Sequence, residues 1–517
     1  MHPPRLRADF LVTETAAANR RHGLSSAFAP IVPHTEHPRG ARDGHPYHAV
    51  RRAKKSTKVM VHLFKRLGCN IAVDTASASV HVLDDVAYEA VSLYGKMPDE
   101  ELIAAVSAKC GVTADDAAEC LSDIRELVSA GTLFSEDKFR PDVSVLAKRD
   151  PVVKALCLHV AHTCNLDCDY CFASQGKYHG ERALMSLDIG KRAIDFLIEN
   201  SGSRHNLEVD FFGGEPLMNF GVVKDIVTYA REREKECGKH FRFTLTTNGM
   251  LVDDDVIEFS DHEMDNVVMS LDGRKEVNDR FRKTAGGVGS FDVIVPKFRK
   301  FAAARGEKEY YIRGTFTHYN PDFMKDIDTM LGLGFTRLSM EPVVAPPDSP
   351  CALTEEDKQI VMEQYELLAK RMIEMRRKGT PFVFYHYMLD LEHGPCIYKR
   401  ISGCGSGTEY MAVTPTGELY PCHQFVGEER FRMGDIFGGV SEEGKKIRDE
   451  FRRCNAYSKP ECDDCWARLY CSGGCAANAW HAAGDVNGVY SYGCDLFRCR
   501  MECALAVKAS EALDAAQ

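Results

Sequence analysis

The sequence lacks the features that mark a membrane protein or a nucleic-acid-binding protein. No uninterrupted apolar stretch approaches the roughly 18 residues that a transmembrane helix requires. Asp and Glu outnumber Lys and Arg by 76 to 65, and the net charge of −11 argues against a surface that binds phosphate backbones. A convincing signal peptide is also missing. We therefore predict no membrane partner, no nucleic-acid partner and a cytoplasmic location.

Cysteine, in contrast, is abundant and unevenly distributed. The chain has 20 cysteines in 517 residues, none of them before residue 60, and many of them follow His393. In a secreted protein this pattern would indicate disulfides, but a long chain without a signal peptide uses clustered cysteines more often for metal. The sequence therefore predicts metal centres in a reducing compartment.

The most informative motif is formed by Cys164, Cys168 and Cys171, spaced C-x3-C-x2-C after the apolar run 155–160. Three thiolates at this spacing can hold three irons of a [4Fe–4S] cube, because cysteine sulfur is the usual ligand of such clusters. The fourth iron is then free to bind a small molecule through an amine and a carboxylate. The spacing arises by chance roughly 0.03 times in a chain of this length and composition. A structural zinc site or ordinary buried thiols is the alternative.

Strands and helices alternate in the middle of the chain. Strand candidates are 154–160, 207–212, 241–246, 266–271, 309–316 and 335–340, with helical patterns at 186–200, 220–237 and 355–377 between or after them. Repeated β–α units indicate a parallel sheet with outer helices. Six units are too few for a closed eight-unit barrel, so we predict an α/β fold, an open, partial (β/α)6 barrel of TIM type. Functional residues should lie at the carboxyl ends of its strands.

Polar turns follow strands two, three and four at those ends. The first is Gly213-Gly214-Glu215-Pro216, whose glycines allow close backbone approach and whose amides, with Glu215, are candidates for holding an ammonium group. The second contains Asn248, and the third contains Ser270 and Asp272, short polar side chains suited to a carboxylate or a ribose. Each turn alone is weak support, since such residues mark many loops.

Composition divides the chain into five segments. Residues 1–59 carry no sustained period and are predicted to be disordered or a mis-assigned start. Residues 60–145 read as short strands followed by three helices, a winged-helix-like module whose acidic third helix fits peptide binding better than DNA binding, with a mere packing domain as the alternative. The barrel occupies 150–385, a cysteine-rich region 386–507, and a tail 508–517.

The barrel motifs resemble those of the radical SAM superfamily. Cys164, Cys168, Tyr170 and Cys171 match its C-x3-C-x-Φ-C signature, where Φ is aromatic, and residues 213–216 match its motif for the amine of S-adenosylmethionine (SAM). This resemblance implies SAM as cofactor, bound near Tyr170 and the three polar turns, with Glu215 and the neighbouring backbone at the methionine amino group. Ser270 and Arg282 are then candidates for its carboxylate, and Arg313 is a rival to Arg282.

The cysteine-rich region resembles a SPASM domain. Its seven-cysteine pattern implies two auxiliary [4Fe–4S] clusters, hence three clusters in all. The implied ligands of the first are Cys404, Cys422 and Cys475, and those of the second are Cys462, Cys465, Cys471 and Cys494. Two cubes contain eight irons, but the pattern supplies seven thiolates. One alternative is that a further cysteine completes the first cluster, and the candidates are Cys396, Cys454, Cys499 and Cys503. The other is that one iron stays open for a substrate thiol. We favour the open iron, since metal coordination favours the thiolate.

Residues 403–410 and 420–427, and the opening from Met60 through His62, Asp74, His81 and Asp84, are similar to SCIFF peptide maturases. This similarity implies thioether formation in a small cysteine-rich precursor peptide and an electron donor such as ferredoxin or flavodoxin. Residues 60–145 would then be the precursor-recognition (RRE-like) element, binding the peptide as an added strand.

His423, next to Cys422, is a candidate proton carrier, with a hydrogen-bonding role as the alternative. Candidate pocket residues are Tyr410, Gln424, His386 and Tyr387.

Two other functions stay open at this point. One is another SPASM enzyme, such as an anaerobic sulfatase-maturating enzyme that forms formylglycine, although that reaction needs no leader-binding module. The other is an iron–sulfur electron carrier, which would have no use for the GGEP turn or for six β–α units.

Overall fold

The computed structural model describes residues 10–11, 60–140, 152–178, 180–346, 348–391 and 396–515. The predicted disordered or mis-assigned segment 1–59 lies outside these ranges except for residues 10–11, and so does the predicted boundary between residues 145 and 150. None of the helices in the described ranges has both the length and the apolarity needed to cross a bilayer.

The amino-terminal module contains an antiparallel sheet of four strands. These are β1 (Phe10–Leu11), β2 (Val61–Arg66), β3 (Cys69–Asp74) and β4 (Val80–Leu83), in the order β1-β4-β3-β2. Helices Asp85–Leu93, Asp99–Cys110 and Ala114–Ser129 follow, as the sequence predicts. The first begins at its cap Asp84 and the third at a Thr113–Asp116 capping box.

Both faces of this sheet are covered. Ala72 packs with the three helices on one face, and the alternate residues Ile71 and Val73 pack against Trp466 and the carboxyl-terminal helix on the other. The His62 ring stacks on Trp466 with centroids 4.2 Å apart, and its Nε2 lies 2.9 Å from a carboxylate oxygen of Glu502. The module therefore packs directly against the cysteine-rich region.

The six predicted barrel strands are all present and all parallel. They are β5 (Ala155–His162), β7 (Asn206–Gly213), β8 (His240–Thr247), β9 (Asn266–Ser270), β10 (Glu309–Phe316) and β11 (Arg337–Pro342), with a short β6 (Ala183–Leu184) antiparallel to β5. Neighbours in the chain are neighbours in the sheet. Every residue of β5 is buried, as expected for a strand of a parallel sheet that is covered on both faces. The prediction of an α/β fold with a parallel sheet is confirmed.

Helices connect these strands on the outside of the sheet. Their bounds are Leu187–Asn200, Phe220–Cys237, Asp254–Glu263, Lys275–Phe281, Phe291–Arg305, Met324–Gly332 and Glu355–Arg377. Side-chain caps at Ser186, Asp253 and Thr354 begin three of them, and the predicted starts at residues 186 and 355 agree with the first and the third to within one residue.

The cysteine-rich region continues the barrel sheet, which the sequence does not indicate. Strand β12 (Val383–Phe384) adds to β11, and β13 (Tyr410–Val413) pairs in parallel with β5. Strands β14 (Glu418–Tyr420), β15 (Gly434–Asp435) and β16 (Gly439–Val440) then extend the edge in antiparallel fashion. The predicted regions 150–385 and 386–507 therefore share one sheet.

Helices complete the cysteine-rich region. They are Ile397–Ser402, Glu442–Arg453, Arg468–Cys471, Ala476–Ala483 and Ser491–Ala515. The last of them corrects the predicted tail 508–517, because residues up to Ala515 are helical and Ala509 is buried. Asp514 pairs with Arg377 at 2.9 Å, so this end is anchored to the helix Glu355–Arg377.

Candidate active site

The cysteine loop and the glycine turn meet backbone to backbone at the carboxyl ends of β5 and β7. A Cβ atom on Gly213 would lie 2.4 Å from the carbonyl oxygen of Ala161, and one on Gly214 would lie 2.1 Å from that of Thr163. Gly213 also has a φ of 120°, which favours glycine. Glycine is therefore required here so that the turn can support the loop that carries the cysteines.

The amides of this turn are already used, which corrects one expectation. Gly214 N donates to Ala161 O at 2.8 Å and Glu215 N donates to Thr163 O at 2.9 Å. An ammonium group is itself a donor and needs acceptors, so these amides cannot hold it. Within this turn the Glu215 carboxylate and the backbone carbonyl oxygens are the acceptors that could bind it.

Glu215 is almost fully buried and receives three hydrogen bonds. Its carboxylate accepts from Leu217 N at 3.1 Å, Thr247 Oγ1 at 2.9 Å and Asn248 N at 2.8 Å. Burial raises its pKa to about 7, against the opposing effect of these bonds. Because a carboxylate offers about four acceptor positions, one remains for a ligand in the adjoining cavity.

Asn248 ties the end of β8 to the cysteine loop. Its Nδ2 donates to Asn165 Oδ1 at 2.8 Å and lies 3.5 Å from Cys164 Sγ, while its Oδ1 accepts from Met250 N. The side chain predicted to bind a cofactor thus holds the loop in place, and it also lines the cavity.

Asp272 is a support for the site and not part of the cavity wall. It is fully buried and accepts hydrogen bonds from Tyr170 Oη at 2.7 Å, from Arg282 at 3.0 and 3.1 Å, and from Thr315 N at 3.0 Å. These four bonds fill the carboxylate. The prediction that Asp272 itself contacts the cofactor is therefore wrong, whereas Tyr170 does line the cavity.

The two candidate arginines for the SAM carboxylate differ in how closely a carboxylate of the protein already binds them. Burial opposes the charge of Arg282, but Asp272 keeps its pKa above the ordinary range, so its charge is balanced internally. The Arg313 side chain is 51% exposed and its nearest carboxylate oxygen, on Glu341, is 3.8 Å away. Arg313 also pairs in register with Ser270 on the adjacent strand, and both line the cavity. The structure favours Ser270 with Arg313.

One cavity of about 500 Å³ joins these elements to the cysteine-rich region. Predicted site residues on its wall are Cys164, Cys168, Tyr170, Cys171, Gly213, Gly214, Glu215, Pro216, Asn248, Ser270, Arg282, Arg313, His423 and Cys475. Pro216 begins a short 3-10 turn, Pro216–Asn219. Residues separated by more than 250 positions in the chain therefore face one space.

His423 lies in this cavity between two aromatic rings. Its ring centroid is 5.7 Å from that of Phe172 and 5.0 Å from that of Phe212, and its Nδ1 is 3.3 Å from the Tyr410 hydroxyl. Burial and then the charge of Arg313 lower its pKa to about 4, so the imidazole is neutral at neutral pH. Neutral imidazole can accept a proton.

Of the other pocket candidates, Gln424 and His386 are connected with the cavity and Tyr387 is not. Gln424 lines the cavity, and His386 binds Glu341, a cavity residue that the sequence analysis missed, at 2.9 Å. Tyr387 is buried, donates to the carbonyl oxygen of Tyr365 and is absent from the wall, so that prediction is wrong. Glu341 ends β11, and the rule that sites lie at strand ends would have found it.

The donor set on the cavity wall fits a cluster better than a single ion. Burial raises the pKa of Cys164 to about 11 and that of Cys168 to about 12, with Cys171 adding to both effects, so these thiols lie close together. In the described ranges no three Cys, His, Asp or Glu side chains form a single-ion site. A [4Fe–4S] cube does not require a single-ion site, because each cysteine binds a different iron.

A second cavity of about 500 Å³ contains the predicted ligands of the second auxiliary cluster. Cys462, Cys465, Cys471 and Cys494 all line it. Cys475 lines both cavities. Burial is the main cause that raises the pKa of Cys422, and the negative charges of Cys475 and Cys404 add to the rise. Both predicted auxiliary sets are therefore gathered in space.

Cys454 is the candidate eighth ligand that lies near the first set. Burial raises its pKa, and both Cys404 and Cys475 act on it, while its thiol lies 3.0 Å from the Val486 carbonyl oxygen. Cys499 and Cys503 instead interact with each other on the helix Ser491–Ala515, beside Arg66. Of these three cysteines, Cys454 is therefore the one that lies near the ligands of the first auxiliary cluster and could complete it.

Comparison with known proteins identifies the central part of the chain. Residues 158–341 match the sequence model of the radical SAM superfamily. They form a radical SAM domain. This match agrees with the prediction made from the cysteine and glycine motifs.

Individual relatives extend further along the chain. A cysteine-type anaerobic sulfatase-maturating enzyme of Clostridium novyi is 26% identical over 339 residues, which are 61% of this chain and 85% of that enzyme. An uncharacterized protein of Methanocaldococcus jannaschii is 32% identical over 136 residues, 26% of this chain, and the match spans only 44% of that protein. The first of these matches agrees with the predicted resemblance to radical SAM maturases.

A solved structure supports the fold of the larger part of the chain. The structure of native anSMEcpe with bound AdoMet superposes with a TM-score of 0.58 at 20% sequence identity, covering 70% of this chain and 99% of that one. The likeness shows that the two chains share a fold beyond the residues that match the family model.

Proposed function

We propose that this enzyme cleaves SAM reductively and forms thioether cross-links between cysteine sulfur and α-carbons in a small, ribosomally made, cysteine-rich (SCIFF) precursor peptide. The observation that carries the proposal is the shared cavity. Its one wall bears Cys164, Cys168 and Cys171, and its other wall bears His423 and Cys475 of the cysteine-rich region. A radical-generating wall and a wall able to hold a substrate sulfur thus face the same space.

The residues of the first wall fit an iron–sulfur cluster with SAM. Cys164, Cys168 and Cys171 would hold the cluster, which when reduced supplies the electron that splits SAM into methionine and a 5′-deoxyadenosyl radical. Glu215 offers its free acceptor position to the ammonium group, and Ser270 and Arg313 lie where the carboxylate can bind. The chain thereby orients the cofactor, which decides which substrate hydrogen is removed.

The residues of the second wall fit the binding of a substrate thiol. Cys404, Cys422 and Cys475 would hold the first auxiliary cluster, with one iron open to the substrate cysteine. His423, neutral because of its burial, is placed to accept the thiol proton. Cys462, Cys465, Cys471 and Cys494 would hold the second cluster, which would serve electron transfer. The electron donor would be a protein such as ferredoxin or flavodoxin in the cytoplasm.

The amino-terminal module supports a peptide substrate. Its β4 already pairs in antiparallel fashion with residues Phe10–Leu11 of the same chain, in register with Val80 and His81. This edge therefore accepts a short added strand, the mode by which unpaired strand amides bind extended peptides. We propose that the precursor occupies the same edge in place of Phe10–Leu11.

Anaerobic co-expression with a SCIFF-type cysteine-rich peptide, followed by mass spectrometry, tests the function. We expect the loss of two hydrogens for each bridge and protection of the bridged cysteine from alkylation. The matched control is the Cys164→Ala, Cys168→Ala, Cys171→Ala variant, which should return unmodified peptide. Unmodified peptide from the fully iron-loaded wild-type enzyme would reject the thioether assignment.

A second candidate function is formylglycine formation, favoured by the match along 85% of the C. novyi sulfatase-maturating enzyme. Incubation with a sulfatase-derived cysteine peptide distinguishes the two. Formylglycine carries an aldehyde that a hydrazide reagent captures, whereas a thioether does not react.

A further inference from the structure

Lys459 is a buried cation without a carboxylate partner among the described residues. Its side chain is almost fully enclosed, with 1% of the residue exposed. Its Nζ donates to the carbonyl oxygens of Gly473 at 2.9 Å and Gly488 at 2.8 Å. Burying an ammonium group costs several kcal/mol unless an anion is near, and neutral carbonyls balance only part of this cost. The site therefore points to an anion that binds beside Lys459.

The other cations near the same cavity already have partners. Arg468 binds Asp137 at 2.7 Å, Arg498 forms an ion pair with Asp495, and Arg500 lies 3.9 Å from a carboxylate oxygen of Glu341. The nearest acidic neighbour in sequence, Glu461, is exposed. Lys459 is thus the cation on this wall whose charge the described residues leave unbalanced.

Thiols of both predicted auxiliary clusters surround Lys459. It lines the second cavity together with Cys462, Cys465, Cys471, Cys475 and Cys494. Cys462, Cys465, Cys471 and Cys494 belong to the second set and Cys475 to the first, and the Gly473 carbonyl that binds Lys459 lies between Cys471 and Cys475 in the chain. One lysine therefore lies beside both sets.

We infer that Lys459 is the shared counter-ion of the two auxiliary iron–sulfur clusters and eases their reduction. A [4Fe–4S] cube held by thiolates is an anion, and it gains one further negative charge when it takes up one electron from an external reductant. A fixed ammonium group stabilises the more negative form, and net charge is one of the properties that set cluster potentials. The inference rests on the proposed function only in requiring that the auxiliary clusters are present.

Redox titration of the auxiliary clusters tests this role. The parent protein is the full chain with Cys164→Ala, Cys168→Ala and Cys171→Ala, reconstituted anaerobically, so that only auxiliary iron contributes to the spectrum. Lys459→Met removes the charge at similar length, and Lys459→Arg retains it. Lys446→Met is the matched control, because Lys446 is exposed and pairs with Glu443 at 2.7 Å. Iron and sulfide content and the EPR midpoint potential are measured for each.

We expect Lys459→Met to shift the auxiliary midpoint potentials to more negative values, or to lose auxiliary iron that Lys459→Arg retains. Lys446→Met should match the parent. Unshifted potentials in a fully loaded Lys459→Met protein would overturn the inference. Equal loss of iron from the Met and Arg variants would also overturn it, because shape and not charge would then matter. A parent protein without auxiliary iron would contradict the assignment of the auxiliary clusters. Iron analysis of the parent protein distinguishes this outcome from the others.

Discussion

Arg282 donates to both carboxylate oxygens of Asp272, at 3.0 and 3.1 Å, and both residues are buried. This pair leaves the SAM carboxylate to Arg313, whose guanidinium is half exposed in the cavity. We expect Arg313→Met to weaken SAM binding about 10- to 100-fold, as for the loss of one charged hydrogen bond. Isothermal titration calorimetry on the iron-loaded protein measures this affinity.

Two variants complete this test. Arg299→Met, at an exposed position of the helix Phe291–Arg305, should leave SAM affinity unchanged. Arg282→Met should instead destabilise the protein by about 3–5 kcal/mol, because it leaves a buried carboxylate unpaired. Wild-type SAM affinity in the Arg313→Met protein would show that Arg282 is the ligand after all.

Glu215 makes SAM binding pH-dependent. Burial raises its pKa to about 7, and only the ionised carboxylate attracts an ammonium group. Affinity should therefore rise with pH up to about 7 and fall by up to roughly tenfold per pH unit below it. The SAM amino group stays charged in that range, since an α-amino group titrates near pH 8.

Titration of SAM between pH 5.5 and 7.5 checks this dependence. Glu215→Gln should remove the slope and weaken binding at pH 7, while the exposed Glu276→Gln should retain the wild-type profile. An unchanged slope in Glu215→Gln would assign the titration to another group.

The three cysteines after β5 should be essential for SAM cleavage only. In the Cys164→Ala, Cys168→Ala, Cys171→Ala variant we expect no 5′-deoxyadenosine, while iron falls by about one third because one cube of three is lost. Chromatography of the reaction and iron analysis measure both quantities. Cys237→Ala, at the end of the helix Phe220–Cys237, is the control and should behave as wild type. Continued 5′-deoxyadenosine formation by the triple variant would refute the assignment.

Cys454 is one of the two candidate fourth ligands of the first auxiliary cluster that the structure leaves, and Cys396 is the other. The open-iron proposal predicts that Cys454→Ser keeps its full iron content and its auxiliary EPR spectrum, because the thiol is not a ligand. Cys237→Ser serves as the matched control. Loss of auxiliary iron from Cys454→Ser alone would make Cys454 the fourth ligand and exclude the open iron.

An open iron should also respond to the substrate. Adding the precursor to the reduced protein should change the auxiliary EPR spectrum, because a thiolate then replaces a weaker ligand. A precursor with serine in place of each cysteine should bind without this change. An unchanged spectrum with bound cysteine precursor would contradict the proposal.

The sequence by itself determined the local features of this protein. The six strands β5, β7, β8, β9, β10 and β11 and the helices after them follow from apolar patterning and caps, which depend on residues a few positions apart. The loop with Cys164, Cys168 and Cys171 and the turn at Gly213 were readable for the same reason. Their positions at strand ends follow from the rule for parallel sheets.

Only the tertiary structure decided which of these features act together. Pairing of β13 with β5 joins Tyr410 to Ala155, residues 255 positions apart, and brings His423 and Cys475 to the cavity. The tertiary structure also shows that Arg282 binds Asp272 and that, within the described ranges, no carboxylate pairs with Lys459, which lines a cavity together with predicted cluster cysteines. Such relationships depend on long-range packing, in which the free energy of each contact is set by partners that local sequence does not specify.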